Sequence, residues 1–304
     1  MVHGSKYKFK GLAFRPLPYA IHPIPYIICL VCGVLMTDEF LVGEKKDNIY
    51  TITLNRPDKR NAINVEMLTG ICELAEKQVA DPDIRAVIVK GEGKIFSAGV
   101  DFNSLGAEVG VFLDDKGAGG AGLRALIYRF QQYFNRLEAV EIPIICAMHG
   151  RALGLGIELA LACDMRLMSE DCIWGMPELK LGVIADLGGT SRLARLLGPS
   201  RAMEILMTGR EYTAQQALNW GLINYYYSAE DLIDEAEKVA QDIAQTAPLA
   251  VGAVKKIIKR GDGVDLMTQL DMEANHNSIL LRTADFQEGL TAMMEKRSPR
   301  WRKK

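Results

Sequence analysis

Histidine is scarce in this chain, with four in 304 residues, and the six cysteines are scattered at 29, 32, 72, 146, 163 and 172. Cys29 and Cys32 have C-x-x-C spacing, but no second pair and no histidine partner completes a zinc site. The cysteines read as buried free thiols in a reducing compartment. An excess of either charge is also lacking. Lys and Arg number 36 against 38 Asp and Glu, a net charge of −2. That balance excludes a global electrostatic pull toward nucleic acid or acidic membranes. A long hydrophobic run is missing too. Tyr26 to Met36 is apolar but falls short of the roughly 20 residues a membrane span needs.

Acidic residues are absent before Asp38. Lys6, Lys8, Lys10 and Arg15 precede the apolar stretch, as in a targeting peptide. Pro16, Pro18, Pro23 and Pro25 break it, and no A-x-A-like cleavage site follows. Residues 1–36 are therefore expected to be an extension outside the catalytic fold. Its apolar side chains would pack on the body or on another subunit. Cytoplasmic localisation is expected, with a targeting signal in the extension left open.

The remainder is ordinary globular composition, 49% apolar and 24% charged, enough for a large core in one big domain or two smaller ones. Ile49 to Leu54 alternates and is rich in β-formers, so it is a strand. It ends at Asn55-Arg56-Pro57-Asp58-Lys59-Arg60-Asn61, a basic turn that is either a solvated loop or a phosphate clamp. Asn64 caps a helix over Val65 to Val79, and Ile84 to Lys90 is a buried strand. This β–α–β order predicts parallel strands in an α/β fold.

Two stretches of small residues follow strands. Phe96-Ser97-Ala98-Gly99-Val100-Asp101-Phe102 comes after 84–90. His149 to Gly156 comes after the strand Pro143 to Met148 and runs into the helix 156–163. Small residues allow close backbone approach to a ligand, and two free N–H groups from such turns form an oxyanion hole. Taken alone, glycine-rich turns of this kind are more often purely structural. An amphipathic helix is predicted over Leu123 to Leu137, and a mobile glycine-rich loop over 117–122. Further on, Glu178 and Asp186 stand eight residues apart in an apolar, glycine-marked segment. Helices are predicted over Pro199 to Met207 and from the Thr213 cap to Gly221, with 222–225 strand-like. Three or four helices then fill 231–295 and offer more apolar surface than one chain needs, which predicts an oligomer. The basic tail 296–304 reads as solvated. His149 and His276 read as structural.

In this order the segments resemble the crotonase superfamily, the enoyl-CoA hydratases and isomerases, over about residues 45 to 300. Asn55-Arg56-Pro57 with Asn61-Ala62 is similar to the family's loop over the CoA adenine and phosphates. Ser97 to Asp101 is similar to its first oxyanion segment, and Gly150 to Glu158 with Cys163-Asp164 to its second. Pro177-Glu178, Gly188-Gly189-Thr190-x-Arg192-Leu193 and Asp285 to Lys296 complete the series. The resemblance implies an α/β fold, a spiral of β–β–α turns over 37–228, with a C-terminal helical trimerisation region over 229–304. It implies an acyl-CoA thioester substrate and a homotrimer or dimer of trimers. It implies no cofactor besides the coenzyme A of the substrate, no metal, no nucleic acid and no membrane contact for the folded core.

Residue by residue, the resemblance assigns the oxyanion N–H groups to Val100 and Leu155, where Leu155 replaces the usual glycine. Its side chain must then point away from the pocket. Catalytic carboxylates fall on Glu158 and Glu178, the hydratase pattern. Substrate or CoA contacts fall on Arg56, Lys59, Ala62, Ala98, Gly99, Val100, Asp101, Phe102 and Gly154. Asp186, in Ile184-Ala185-Asp186, resembles instead the Δ3,5-Δ2,4-dienoyl-CoA isomerases. The leading expectation is hydration of a 2-enoyl-CoA through Glu158 and Glu178. The alternative is dienoyl-CoA isomerisation through Glu178 and Asp186. A non-catalytic or RNA-binding protein on this fold is the third, disfavoured because the helix from Val65 has one Lys and an excess of Glu. Apart from the resemblance, Glu158 could be a helix N-terminal carboxylate, Glu178 a partner of Lys180, and Asp186 a cap for the helix near Gly188-Gly189.

Overall fold

The computed structural model describes residues 27–28, 35–37, 40–104, 106, 110 and 120–304. Most of the extension and of the loop 103–122, including the glycine run expected to be mobile up to 119, lies outside the described residues. Two pieces of the extension are described. Ile27–Ile28 (β1) pairs antiparallel with Leu35–Thr37 (β2), and β2 pairs antiparallel with Leu41–Lys46 (β3). The segment expected to stand outside the fold thus adds two short strands to its edge, covering backbone groups that β3 would otherwise leave open.

β3 pairs antiparallel with Ile49–Leu54 (β4). From β4 onward the sheet is parallel. Ala86–Gly91 (β5), Ile144–Met148 (β6), Met165–Ser169 (β8) and Tyr225–Tyr227 (β11) follow in that spatial order, completing an eight-stranded sheet among the described residues. Val65–Lys77 (α1) is the crossover from β4 to β5, and its N-terminus is capped as expected, the Asn64 side chain accepting from Met67 N–H. Parallel strands are covered on both faces, so they read as continuous apolar runs. In β6, Ile145 and Ala147 face Leu232, Ala236 and Ala240 of the helix Leu232–Ala244, while Ile144, Cys146 and Met148 enter the larger core.

Arg151–Leu153 (β7), Ile173–Gly175 (β9) and Glu211–Thr213 (β10) form a small second sheet. It runs β7 directly into the helix Leu155–Ala162, written α3 below. The helix Ala121–Ala139 (α2) is longer than predicted and buries Leu126, Phe130, Phe134 and Leu137 on one stripe. Gly189–Leu197 (α4) follows the Glu178–Asp186 segment. Pro199–Thr208 and Ala214–Trp220 match the predicted helices, the second with Thr213 in a capping box and a left-handed Gly221 behind it.

The strand expected at 222–225 sits at Tyr225–Tyr227 instead, paired with Leu167–Ser169. Leu222 and Ile223 are apolar because they are buried in the connection, where the Leu222 carbonyl accepts from Arg166 Nε. The final helices are Pro248–Gly261, Leu266–Leu280 and Ala284–Glu295. The basic tail is docked rather than solvated. Asp285, 2% exposed, accepts the N–H groups of Arg302 and Lys303 at 2.7 and 3.0 Å, and Trp301 Nε1 donates to the Gln245 carbonyl.

Candidate active site

A parallel β-bridge, Ser97 to Ala152, ties the two small-residue turns together. Ser97 N–H donates to the Arg151 carbonyl and Leu153 N–H to the Ser97 carbonyl, both at 3.1 Å. The Ser97 hydroxyl donates to the Asn61 carbonyl and accepts from Gly99 N–H. Gly99 has φ +99°, and a Cβ there would lie 3.0 Å from the Leu153 carbonyl oxygen and 3.6 Å from Leu155 N. The close approach and the left-handed backbone both require glycine.

The two predicted N–H donors lie next to bonded neighbours. Val100 bridges to Ile63, but the bonds fall on its neighbours. Ile63 N–H donates to the Gly99 carbonyl and Asp101 N–H to the Ile63 carbonyl. Along such a bridge successive N–H groups point to opposite sides, so that of Val100 points away from Ile63. Leu155 is the first residue of α3, where an N–H has no intrahelical acceptor and carries the positive end of the helix dipole. Among the described residues neither group donates to a protein acceptor. The Leu155 side chain is buried in the larger core.

Glu158 lies one turn along α3 and is 3% exposed. Its Oε2 accepts Gly189 N–H at 2.7 Å. Burial pushes its carboxyl up to about 8, and the nearby charges of Glu178 and Asp186 push the same way. Glu178 opens the 3₁₀ turn Glu178–Leu181. Both its carboxylate oxygens are buried with no hydrogen-bond partner, so the pairing with Lys180 does not form. Burial raises its carboxyl, and Asp186 adds to the rise. Gly154, at φ +50°, lets Glu178 approach the second small-residue turn, since a Cβ there would fall 2.8 Å from Glu178 Oε1. Asp186 is likewise raised by burial. It is not the cap of α4. Gly188 holds that position without a side-chain bond, and the first N–H of α4 goes to Glu158. The charges of Glu178 and Asp186 thus reach Glu158, that of Asp186 reaches Glu178, and all three carboxyls resist ionisation.

The CoA-facing assignments divide. Arg56 ion-pairs with Asp101 at 2.9 Å, with the two side chains 11% and 15% exposed. Its Nη1 donates to the Ala62 carbonyl, and its guanidinium lies over the Phe40 ring. Asp101 also accepts the N–H groups of Asn103 and Ser104. Burial opposes the charge of Asp101, but Arg56 and those N–H groups outweigh it and hold its carboxyl low. Arg56 and Asp101 therefore brace the loop against the first small-residue turn, and Arg56 already has internal partners. Lys59 remains exposed, as does Phe102, at 64%. Ala62 and Ala98 are half-buried beside the bridge. His149 and His276 each set a ring nitrogen against a backbone carbonyl, of Gly93 and Met272.

Sequence reasoning missed Gln131 and treated Arg192 only as part of a motif. Gln131 Nε2 donates to the Asp186 carbonyl at 2.7 Å, and Arg192 Nη1 to the Leu187 carbonyl at 3.1 Å. The signal was the polar spacing 131, 135, 138 on an amphipathic helix, which looks like a solvated face. Among the described residues no cluster of His, Cys, Asp or Glu could hold a metal ion.

The family model described as "Enoyl-CoA hydratase/isomerase" matches residues 44–304. The chain belongs to that family and is an enzyme of the lyase or isomerase type, and members of this family act on acyl-CoA thioesters. A probable enoyl-CoA hydratase of Mycobacterium bovis is 35% identical over 88% of this chain and 99% of its own length. A peroxisomal Δ(3,5)-Δ(2,4)-dienoyl-CoA isomerase of Arabidopsis thaliana is 31% identical over 88% of this chain and 97% of its own. The crystal structure of an enoyl-CoA hydratase from Bacillus anthracis superposes with a TM-score of 0.79 at 32% identity, covering 87% of this chain and 100% of that one. The fold is the crotonase-type α/β fold that the resemblance implied.

Proposed function

We propose that this enzyme hydrates a 2-enoyl-CoA thioester. The observation that carries the reading is Glu178, unpartnered and buried against the Gly154 turn, with Glu158 close by and pushed up to about 8. The thioester carbonyl oxygen accepts from Val100 and Leu155 N–H. Glu178 takes a proton from water as its oxygen bonds to the β-carbon. The π electrons move toward the thioester oxygen as an enolate, which the two donors stabilise. Losing one such donor typically costs about 2.7–4 kcal/mol. Glu158, mostly protonated at neutral pH, returns a proton to the α-carbon. Proton exchange between the two carboxyls resets the site.

A second reading is favoured by one observation. Asp186 is freed from capping and its charge reaches Glu178. In that reading Glu178 and Asp186 move protons at the two ends of a 3,5-dienoyl-CoA. Absorbance assays on crotonyl-CoA and on a 3,5-dienoyl-CoA separate the two. Loss of the enoyl-thioester band, abolished in Glu178→Gln and retained in Asp186→Asn, supports hydration. A new conjugated-dienoyl band, lost in Asp186→Asn and without crotonyl-CoA turnover, would overturn it in favour of isomerisation.

A further inference from the structure

The turn between Glu178 and α4 is gripped at three successive carbonyls. That of Ala185 accepts the N–H and hydroxyl of Thr190, at 3.1 and 3.0 Å. That of Asp186 accepts Gln131 Nε2, and that of Leu187 accepts Arg192 Nη1. Arg192 Nη2 is held in turn by Asn135 Oδ1 and Glu138 Oε2, at 2.9 and 2.7 Å. Gln131, Asn135 and Glu138 stand at i, i+4 and i+7, so one face of α2 reaches the turn through all three. The far end of the turn supplies the Gly189 N–H that Glu158 accepts.

We infer that this seam is a positioning device and that Gln131 is its central residue. By fixing the Asp186 peptide, Gln131 holds the Asp186 carboxylate near Glu178 and keeps Gly189 N–H on Glu158. The inference rests on the reading of Glu158 and Glu178 as the proton-handling groups, with Asp186 replacing Glu158 in the isomerase reading. Gln131 is half-buried on a helix, where an apolar residue would pack as well, so packing does not demand an amide. A reacting group displaced by about 1 Å, in contrast, can cost about a hundredfold in rate.

The test is Gln131→Met, alone and combined with Asp186→Asn, followed as kcat and KM on whichever acyl-CoA the wild-type protein turns over. Met keeps the length and helix propensity but cannot donate. The expected result is a kcat lower by roughly tenfold to a hundredfold, with KM nearly unchanged. The alkaline limb of the kcat profile moves to higher pH, because Gly189 N–H no longer favours the charged form of Glu158. On a 2-enoyl-CoA, where Asp186→Asn retains activity, the loss shrinks in that background, since both changes act on one turn. Gln131→Glu supplies a check against misfolding. Its protonated acid can donate and its carboxylate cannot, so its activity relative to wild type rises as pH falls. A superimposable pH profile with only a lowered melting temperature, or fully additive losses, would overturn the inference while leaving the proposed function intact. A wild-type protein silent on both substrates would overturn that function, and the inference with it.

Discussion

Glu158 holds its position at a cost. The group prefers its proton in the folded protein, with a value raised by burial to about 8 from the ordinary 4.5. Between those two values the folded state binds more protons than the unfolded, so stability falls as pH rises through the window. The penalty is absent below the ordinary carboxylate range and complete above about 8, on the order of a few kcal/mol. Glu158→Gln removes it, because the amide oxygen can still accept Gly189 N–H. The variant should be inactive yet more stable than wild type at alkaline pH, with the difference vanishing toward acid. Urea unfolding at several pH values checks this, and equal stabilities at alkaline pH would refute it. The sequence placed Glu158, Glu178 and Asp186 in one segment order. It could not tell capping from catalysis, because an Asp three residues before a glycine-started helix looks alike in both cases.

At the scale of elements, the site depends on turns pinned by bonds that leave no pattern in a single chain. Alternation and cap residues made β4, α1, β5, β6 and α3 legible, since burial and capping act through local sequence. The bridge from Ser97 to Ala152 joins residues far apart in the chain, and nothing local records the pairing. Arg56 illustrates the limit. Its charge suggested a phosphate contact, and only the fold shows that Asp101 and Phe40 engage it. The tail is a second case, where a run of Lys and Arg hides a docking built on backbone N–H groups. Asp285→Ala leaves the part-buried N–H groups of Arg302 and Lys303 without their acceptor and should cost about 1–2 kcal/mol, with kcat unchanged. Chemical denaturation measures the loss. A change under about half a kcal/mol would mean that the bonds of Trp301 and Lys303 hold the tail without Asp285.

For the whole molecule, the C-terminal helices leave Leu266, Met267, Ile279, Met293 and Met294 largely exposed. The helix Leu266–Leu280 buries none of its residues within the chain. Apolar surface of this kind is characteristic of an interface. We propose that the chain assembles into a trimer or a pair of trimers through this layer. Light scattering on the eluting protein should give three or six times the chain mass, and Met267→Glu with Ile279→Glu should dissociate it. A monomer at working concentration would refute the assembly.

One contact joins the scales. Glu158 is rooted in the first turn of α3, and its carboxylate is fastened to the first N–H of α4. The two helices therefore meet at a pin whose tightness is set by a proton. Ionisation strengthens the pin, since a carboxylate accepts an N–H more strongly than a neutral acid does. Around pH 8 the joint should stiffen, and the Gly189 amide should exchange with deuterium more slowly, relative to its intrinsic rate, than it does at pH 6. Acidity would then act on this enzyme as a mechanical setting, loosening the angle between two helices as well as loading its acid.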